Sequence, residues 1–190
     1  YVDCSPGKVH QISDLQRLLQ IKAQEINSGQ WIRAANYVAS SLNEKRPPNR
    51  WELDKAAPAR PVILVERSGQ HCVLNSIAMN ICGITDTASG KSSGSIHCVP
   101  VSDISNGIVS GNNQAVAAKI PSLSEAELES GIKQISKIFL SRGITSIQDT
   151  SWTNSLQHWL RMKDFKDRGL LSPRLNFFPG IDALDQFSQE

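Results

Sequence analysis

The sequence predicts an α/β protein in which partial (β/α) barrel units accompany a mixed α+β subdomain. Short β-branched runs such as Val62–Val65 are typical of buried strands. Apolar residues at helical spacing, with capping residues before them, indicate helices between these strands. After residue 121 the pattern alternates helix, strand, helix and strand with short joints, which favours parallel strands with right-handed crossovers. Two such units make up a quarter of an eight-stranded barrel and cannot close one.

Composition and charge exclude several functional classes. A chain of 190 residues is long enough to bury a stable core. Its net charge of +2, with both signs interspersed, provides no large field that would attract nucleic acid or anionic lipid. The sequence lacks the run of about 18 apolar residues that a membrane-spanning helix requires. Its four cysteines show no CxxC spacing, which favours reduced thiols in a cytoplasmic protein.

The first 60 residues predict a helix, a strand and a second, short helix. Ser13 followed by Gln16 is typical of a capping box and predicts a helix that runs to about Ile26. Trp31–Val38 is a candidate strand. Two prolines break the chain before a short helix at Trp51–Ala57, and a third proline ends that helix.

The segment Arg60–Gly83 is the most informative part of the sequence. Its opening strand is followed by a bend at Gly69, and Gly83 is placed to end a helix in the left-handed conformation. The apolar stripe of that helix consists of Leu74, Ile77, Ala78, Ile81 and Cys82. His71 and Asn75 lie in or beside the bend, where side chains can converge on a substrate. The alternatives are that backbone groups satisfy His71 and that Asn75 caps the helix.

The rest of the chain divides into a polar connection and a regular α/β pattern. Residues 85–120 are rich in Thr, Ser, Gly and Asn, with extended candidates at Ser95–Val101 and Gly107–Ser110. Ser122 and Glu125 then predict another capping box. The apolar face of the helix that follows consists of Leu128, Ile132, Ile135 and Phe139. After it the pattern predicts a strand at Ile144–Gln148, a helix at Trp152–Arg168 and a second strand at Arg174–Phe178.

Gln148 and Asp149 are the second pair of candidate substrate-lining residues. They follow a predicted parallel strand, where the functional groups of barrels collect. N-capping of the next helix is an equally good interpretation of Asp149. His71-Cys72 and His97-Cys98 are weak zinc candidates, because adjacent residues on an extended chain point in opposite directions. The sequence therefore offers four candidate substrate-lining residues, His71, Asn75, Gln148 and Asp149, and neither a catalytic group nor a metal ligand.

Three segments, in this order and spacing, resemble the amidohydrolase-3 family of metal-dependent hydrolases. The first, Asp14–Trp31, is similar to the family's helix and leads into Gly29-Gln30-Trp31-Ile32. The second is PPNRWELDKAAPARPVILVERSGQHCVLNSIAMNICGI, which runs from Pro47 to Ile84. The third, Arg142–Asp149, is similar to the family's next barrel strand.

The resemblance implies a metal-bearing barrel with inserted β structure. Residues 1–120 would be an inserted mixed α+β subdomain with its polar connection at 85–120, and residues 121–190 two helix–strand units of a partial TIM-type barrel. The family's ligands are a His-x-His pair, a mid-barrel carboxylate, later histidines and a final Asp. We expect an internal fragment that contains none of them, with zinc or another divalent metal in the full-length protein.

The function that the resemblance implies is hydrolysis of a non-peptide C–N bond, of the amide or N-formyl type, in a small-molecule substrate. The isolated chain is expected to be inactive. The family commonly has Gly-(Val/Leu)-Leu-x-Glu where this chain has Gly107 to Gly111, so a glycine replaces the glutamate. That departure favours an alternative, a degenerate non-catalytic domain for binding or assembly. A partial barrel also exposes strand edges, which predicts a homo-oligomer.

Overall fold

The computed structural model describes residues 1–27, 29–84, 95–99, 102–110 and 114–187, and the chain divides into two compact units. The first unit is Tyr1–Pro121 and the second is Ser122–Glu190. Helices alternate with strands, many of them parallel, which confirms the predicted α/β class.

The described residues of the first unit form six strands and four α-helices, with one turn of 3-10 helix at Ala39–Ser41. Its strands are β1 (Val2–Asp3), β2 (Ile32–Tyr37), β3 (Val62–Glu66), β4 (His71–Leu74), β5 (Ser95–Val99) and β6 (Ser102–Ser110). Its helices are α1 (Ile12–Glu25), α2 (Arg50–Ala56), α3 (Ser76–Cys82) and α4 (Gln114–Ala117). The predicted strand at 31–38 and the short helix near Trp51 are confirmed, with ends that differ by one or two residues.

The six strands of this unit form one mixed sheet in the order β1-β2-β3-β4-β6-β5. β1, β2 and β3 are parallel, whereas β4, β6 and β5 pair with their neighbours in an antiparallel fashion. The carboxyl ends of the parallel strands therefore lie at the same edge as the start of β4 and the end of β6. A bulge in β2 at Asn36, whose φ is 74°, shifts the register so that Tyr37 faces Glu66.

Apolar side chains cover both faces of this sheet. On one face, Leu15 and Leu19 of α1 and Leu53 of α2 are fully buried against Leu64 and Val73. On the other face, α3 packs over β3, β4 and β6 through a second cluster, whose buried members are Ile63, Cys72, Leu74, Ala78, Met79, Val109 and Val116. Burial on both faces holds the strands in one register, because a one-residue slip would expose each buried set.

The segment 60–83 is a strand, a turn, a second strand and a helix, which corrects the predicted strand–bend–helix. Gly69 makes the turn with φ 74°, and the chain then pairs back onto β3 as β4 before α3 begins. Leu74 belongs to β4 and not to the helical stripe, and Ile81 is 47% exposed. Gly83 ends α3 in the left-handed conformation with φ 71°, as predicted.

The N-cap of helix α1 is Gln11, two residues before the predicted Ser13. Asp14 accepts hydrogen bonds from the backbone N–H groups of His10 and Gln11 at 3.0 and 3.3 Å, so Gln11 and Asp14 form the box. The Glu44 carboxylate, 32 residues away, accepts a further bond from the Ile12 N–H at 3.1 Å. A negative group at this position also offsets the helix dipole.

The second unit pairs two parallel strands through a connecting helix, as the sequence predicts. Its α-helices and strands are α5 (Glu125–Ser141), β7 (Ser146–Asp149), α6 (Leu156–Asp167), β8 (Arg174–Phe177) and α7 (Leu184–Phe187), and a turn of 3-10 helix at Ile181–Ala183 precedes α7. Phe165, Leu170 and Leu171 form its buried core. The cap of α5 is Ser124 with Glu127, two residues after the predicted Ser122 and Glu125.

Across the described parts of the chain, we find no helix with the length and hydropathy needed to span a bilayer. Cys4, Cys72 and Cys82 are free thiols. Burial raises the pKa of both Cys4 and Cys72 to about 12, so these two thiols are weak nucleophiles at neutral pH.

Candidate functional site

The first candidate site lies at the edge of the larger sheet where the parallel strands end. His71 opens β4 and stands directly opposite Ser110, the last residue of β6. The imidazole Nδ1 and the Ser110 hydroxyl oxygen are 2.7 Å apart, a short hydrogen bond. His71 is half-buried, so its ring is held by the sheet and also reaches the surface. In open α/β sheets this edge is where ligands bind.

Glu66 ends β3 at the same edge and provides the negative charge of this site. Hydrogen bonds from the Ser68 side chain and from its backbone N–H, the latter 2.9 Å long, lower the pKa of Glu66 against a small cost of burial. The His71 ring and Arg67 lower it further. On the neighbouring strand, burial first and then the Glu66 charge raise the pKa of Tyr37. Glu66 is therefore ionised at neutral pH and close to both rings.

Asn75 is fully buried and caps helix α3, which is the alternative interpretation of this residue. Its side-chain oxygen accepts from the backbone N–H groups of Val62 and Ala78, both at 3.0 Å. Its side-chain nitrogen donates to the carbonyls of Arg60 at 2.8 Å and Ala57 at 3.4 Å. All four hydrogen-bonding positions of the amide are thus used within the protein. Asn75 joins α3 to β3 and does not project into the edge that His71 occupies.

Gln148 and Asp149 lie at the carboxyl end of β7, in the second unit. The Asp149 carboxylate accepts hydrogen bonds from the Ser151 N–H at 3.0 Å and the Ser151 hydroxyl at 2.7 Å. Burial opposes its ionisation, but the hydrogen bonds from Ser151 and Asn154 outweigh burial and lower the pKa of Asp149 from its ordinary value. The N-cap of α6 is Ser155, so the capping role considered for Asp149 is wrong. Gln148 is exposed beside it.

Asn154 holds together the loops that follow β7 and β8, a role that the sequence did not reveal. Its side chain is 4% exposed and donates to the Phe178 carbonyl at 2.9 Å. The Asn154 carbonyl accepts from the Gly180 N–H at 2.8 Å. A Cβ atom at Gly180 would lie only 2.1 Å from the Trp152 carbonyl oxygen, so the chain needs a glycine at this position. This close approach fixes the surroundings of Asp149.

An open groove of about 420 Å³ lies between the start of α1 and helix α2. Its lining includes Gln16, Glu44, Trp51, Glu52 and Lys55. Glu44 caps α1, Glu52 pairs with Arg46, and Gln16 donates to the Glu52 carbonyl at 2.9 Å. Its two carboxylates therefore support the helices, and we assign the groove a structural role.

The described residues do not provide a metal site. Among them, no three His, Cys, Asp or Glu side chains come close enough together to hold a metal ion. Cys72 is buried in the cluster under α3 while its neighbour His71 faces Ser110 on the other side of the sheet, so this dipeptide does not bring two ligands together. The side chains of His97 and Cys98, and residue Gly111, lie outside the described part of the chain.

The fold is similar to part of two metal-dependent hydrolases of known structure. An uncharacterized metal-dependent hydrolase from Pyrococcus horikoshii OT3 matches with a TM-score of 0.60 and 18% identity, over 99% of this chain and 34% of the other. One from Pyrococcus furiosus matches with a TM-score of 0.58 and 20% identity, over 99% of this chain and 36% of the other. The model of the amidohydrolase family matches residues 2–189, and the chain belongs to that family.

Two curated relatives share shorter or weaker stretches of sequence. N-substituted formamide deformylase from Arthrobacter pascens is 35% identical over 83 residues, which are 44% of this chain and 15% of the relative. Protein LONG AFTER FAR-RED 3 from Arabidopsis thaliana is 23% identical over 160 residues, 84% of this chain and 27% of the relative. This chain therefore spans about a third or less of the length of each of these four proteins.

Proposed function

We propose that this chain forms part of a metal-dependent hydrolase that cleaves non-peptide C–N bonds of the amide or N-formyl type. The observation that carries the proposal is the 35% identity to an N-substituted formamide deformylase, within a family match over residues 2–189. In this proposal, residues 1–120 are an inserted subdomain and residues 121–190 are two units of a (β/α) barrel.

The divalent metal, zinc or another ion, would activate the water that attacks the scissile carbonyl. Its ligands would come from residues other than those described, because these do not form a suitable group. The described chain would supply the edge that carries His71 and the loop that carries Asp149, both at the carboxyl ends of strands. The ligand-binding side of a barrel is likewise the carboxyl end of its strands.

The test compares the 190-residue chain with the product of the complete reading frame. Each is purified, its metal content is measured by mass spectrometry, and formate release from N-methylformamide is followed. We expect metal and activity in the complete product, loss of that activity on chelation, and neither property in the 190-residue chain. One tightly held metal ion per 190-residue chain would contradict the proposal, and so would an inactive, metal-free complete product.

A degenerate domain used for binding or assembly is the second candidate, and Gly111 favours it. Gly111 occupies the position of a glutamate in the family pattern, and glycine has no side-chain oxygen that could bind a metal. A single substitution distinguishes the two candidate functions. Gly111→Glu in the complete product would raise metal content and formate release if the domain is degenerate, whereas an active enzyme would gain neither.

A further inference from the structure

The pairing of His71 with Ser110 has a consequence for the ring proton of the histidine. The two residues are direct cross-strand partners on β4 and β6, so the backbone of two strands fixes their separation. The 2.7 Å distance from Nδ1 to the hydroxyl oxygen leaves no room for a water between them. The imidazole is thus held at Nδ1, and its other nitrogen, Nε2, lies across the ring from that bond.

The hydrogen bond with the Ser110 hydroxyl can determine the tautomer of the neutral His71 ring, that is, which of its two nitrogens carries the hydrogen. A serine can donate as well as accept, and the tautomer of a histidine is set by the hydrogen bond made at its other nitrogen. A Ser110 hydroxyl that donates to Nδ1 leaves the hydrogen on Nε2.

We propose that Ser110 is the positioning residue of His71, and that the Nε2–H group of His71 donates a hydrogen bond to the oxygen of a bound carbonyl or carboxylate group. The location supports a ligand site, because the pair lies at the carboxyl edge of three parallel strands. The ligand class rests on the proposed function, since the formyl group of an N-substituted formamide carries such an oxygen. The role of Ser110 does not depend on it.

The first experiment reads the tautomer directly. The imidazole ¹⁵N resonances of the four histidines are recorded at a pH at which the rings are neutral, and His71→Gln assigns the signals of His71. We expect the Nε2–H form of His71 in the wild type and in Ser110→Thr, and a mixture of tautomers in Ser110→Ala. Ser40→Ala, at an exposed serine of the same unit, should leave the signals unchanged.

Two results of this experiment would overturn the positioning role. One is an Nδ1–H form of His71 in the wild type, and the other is an unchanged tautomer in Ser110→Ala. The thermal unfolding midpoint of each variant shows whether the sheet is intact. If Ser110→Ala does not fold, Ser110→Thr and Ser110→Cys still give the comparison, because the thiol is a weaker hydrogen-bond donor than a hydroxyl.

The second experiment tests the ligand. N-methylformamide and sodium formate are titrated separately into the 190-residue chain while the His71 Nε2–H resonance is followed. We expect a saturable shift with at least one of them, and an apparent Kd that is about 3- to 10-fold larger in Ser110→Ala. A His71 resonance that does not move with either compound would overturn the ligand assignment. This outcome is separate from failure of the proposed function, because it needs neither a metal nor turnover.

Discussion

At the scale of single residues, Asn75 is the side chain on which the first unit depends most. It is fully buried and its four hydrogen bonds join β3, the end of α2 and the start of α3. We predict that Asn75→Ala lowers the free energy of unfolding by about 2–4 kcal/mol, because it removes a helix cap and leaves buried backbone groups without partners. Urea titration followed by circular dichroism measures the change.

Asn80→Ala is the matched control for this substitution. Asn80 is exposed on the same helix, so its replacement should change the free energy of unfolding by less than about 0.5 kcal/mol. A similar, small effect of both substitutions would show that Asn75 does not hold the three elements together.

Asp149 gives the second residue-scale prediction, which concerns pH. Burial raises the pKa of Asp149, but hydrogen bonds from Ser151 and Asn154 outweigh burial, so its folded-state pKa is lower than its ordinary value. A carboxyl group with a lowered pKa contributes stability that is present above its unfolded-state pKa and is lost as the pH falls through the folded-state value. Between about pH 5 and pH 2, wild type should therefore lose more unfolding free energy than Asp149→Asn. Urea titrations at several pH values measure both slopes, and equal slopes would contradict the assignment.

At the scale of elements, the loops after β7 and β8 meet at Gly180. A Cβ atom at this position would lie 2.1 Å from the Trp152 carbonyl oxygen and 3.0 Å from the Asn154 nitrogen, both backbone atoms that cannot turn away. We predict that Gly180→Ala costs about 2 kcal/mol or more, because the two loops must separate. Urea unfolding followed by tryptophan fluorescence measures the change in stability.

Gly131→Ala is the control, since it makes the same chemical change in the same unit. Gly131 lies within α5, and a Cβ atom there meets nothing within 4 Å. It should stabilise the protein by about 0.5–1 kcal/mol through higher helix propensity. A loss of stability in both variants would mean that the contact at Gly180 is not the cause.

The sequence predicts an element well where residues close to it in sequence determine it, and poorly where distant residues do. The helices α5 and α6, the strands beside them and the αL residue Gly83 follow from local periodicity and a terminal glycine. The helix starts are less exact, since α6 begins at Leu156, four residues after the predicted Trp152. The sequence does not reveal strand β4, because its last residue, Leu74, also fits the helical stripe that follows. Only the pairing of β4 with β3 decides between strand and helix. The start of α1 was misplaced because Glu44, far away in sequence, helps to cap it.

The candidate site shows the same division. His71 and Asp149 could be found because a turn or a strand end precedes each of them. Ser110 could not be found as the partner of His71, since 39 residues separate them and the register of the sheet brings them together. The position of Asn75 at a helix start already favours the capping role that the structure shows.

At the scale of the whole molecule, the apolar surface of the second unit predicts self-association. Within the described residues its sheet contains two strands, β7 and β8, so each strand has an unpaired edge. Large apolar side chains lie exposed around it, among them Leu140 at 46%, Phe178 at 51% and Ile181 at 75%. We propose that copies of this chain associate through these edges and side chains, because their burial removes apolar area from water.

Light scattering across a range of concentrations tests this proposal. The mass should exceed the 20.9 kDa of one chain and fall on dilution. The double variant Leu140→Glu with Ile181→Glu should be monomeric at concentrations where wild type is not, since charge at the contact opposes burial. Ile21→Glu with Ile81→Glu is the control, because these residues of the first unit are similarly exposed, at 48% and 47%, and should leave the mass unchanged. A wild-type chain that stays monomeric at all concentrations would contradict the proposal, because the exposed edges would then be stable in water without a partner.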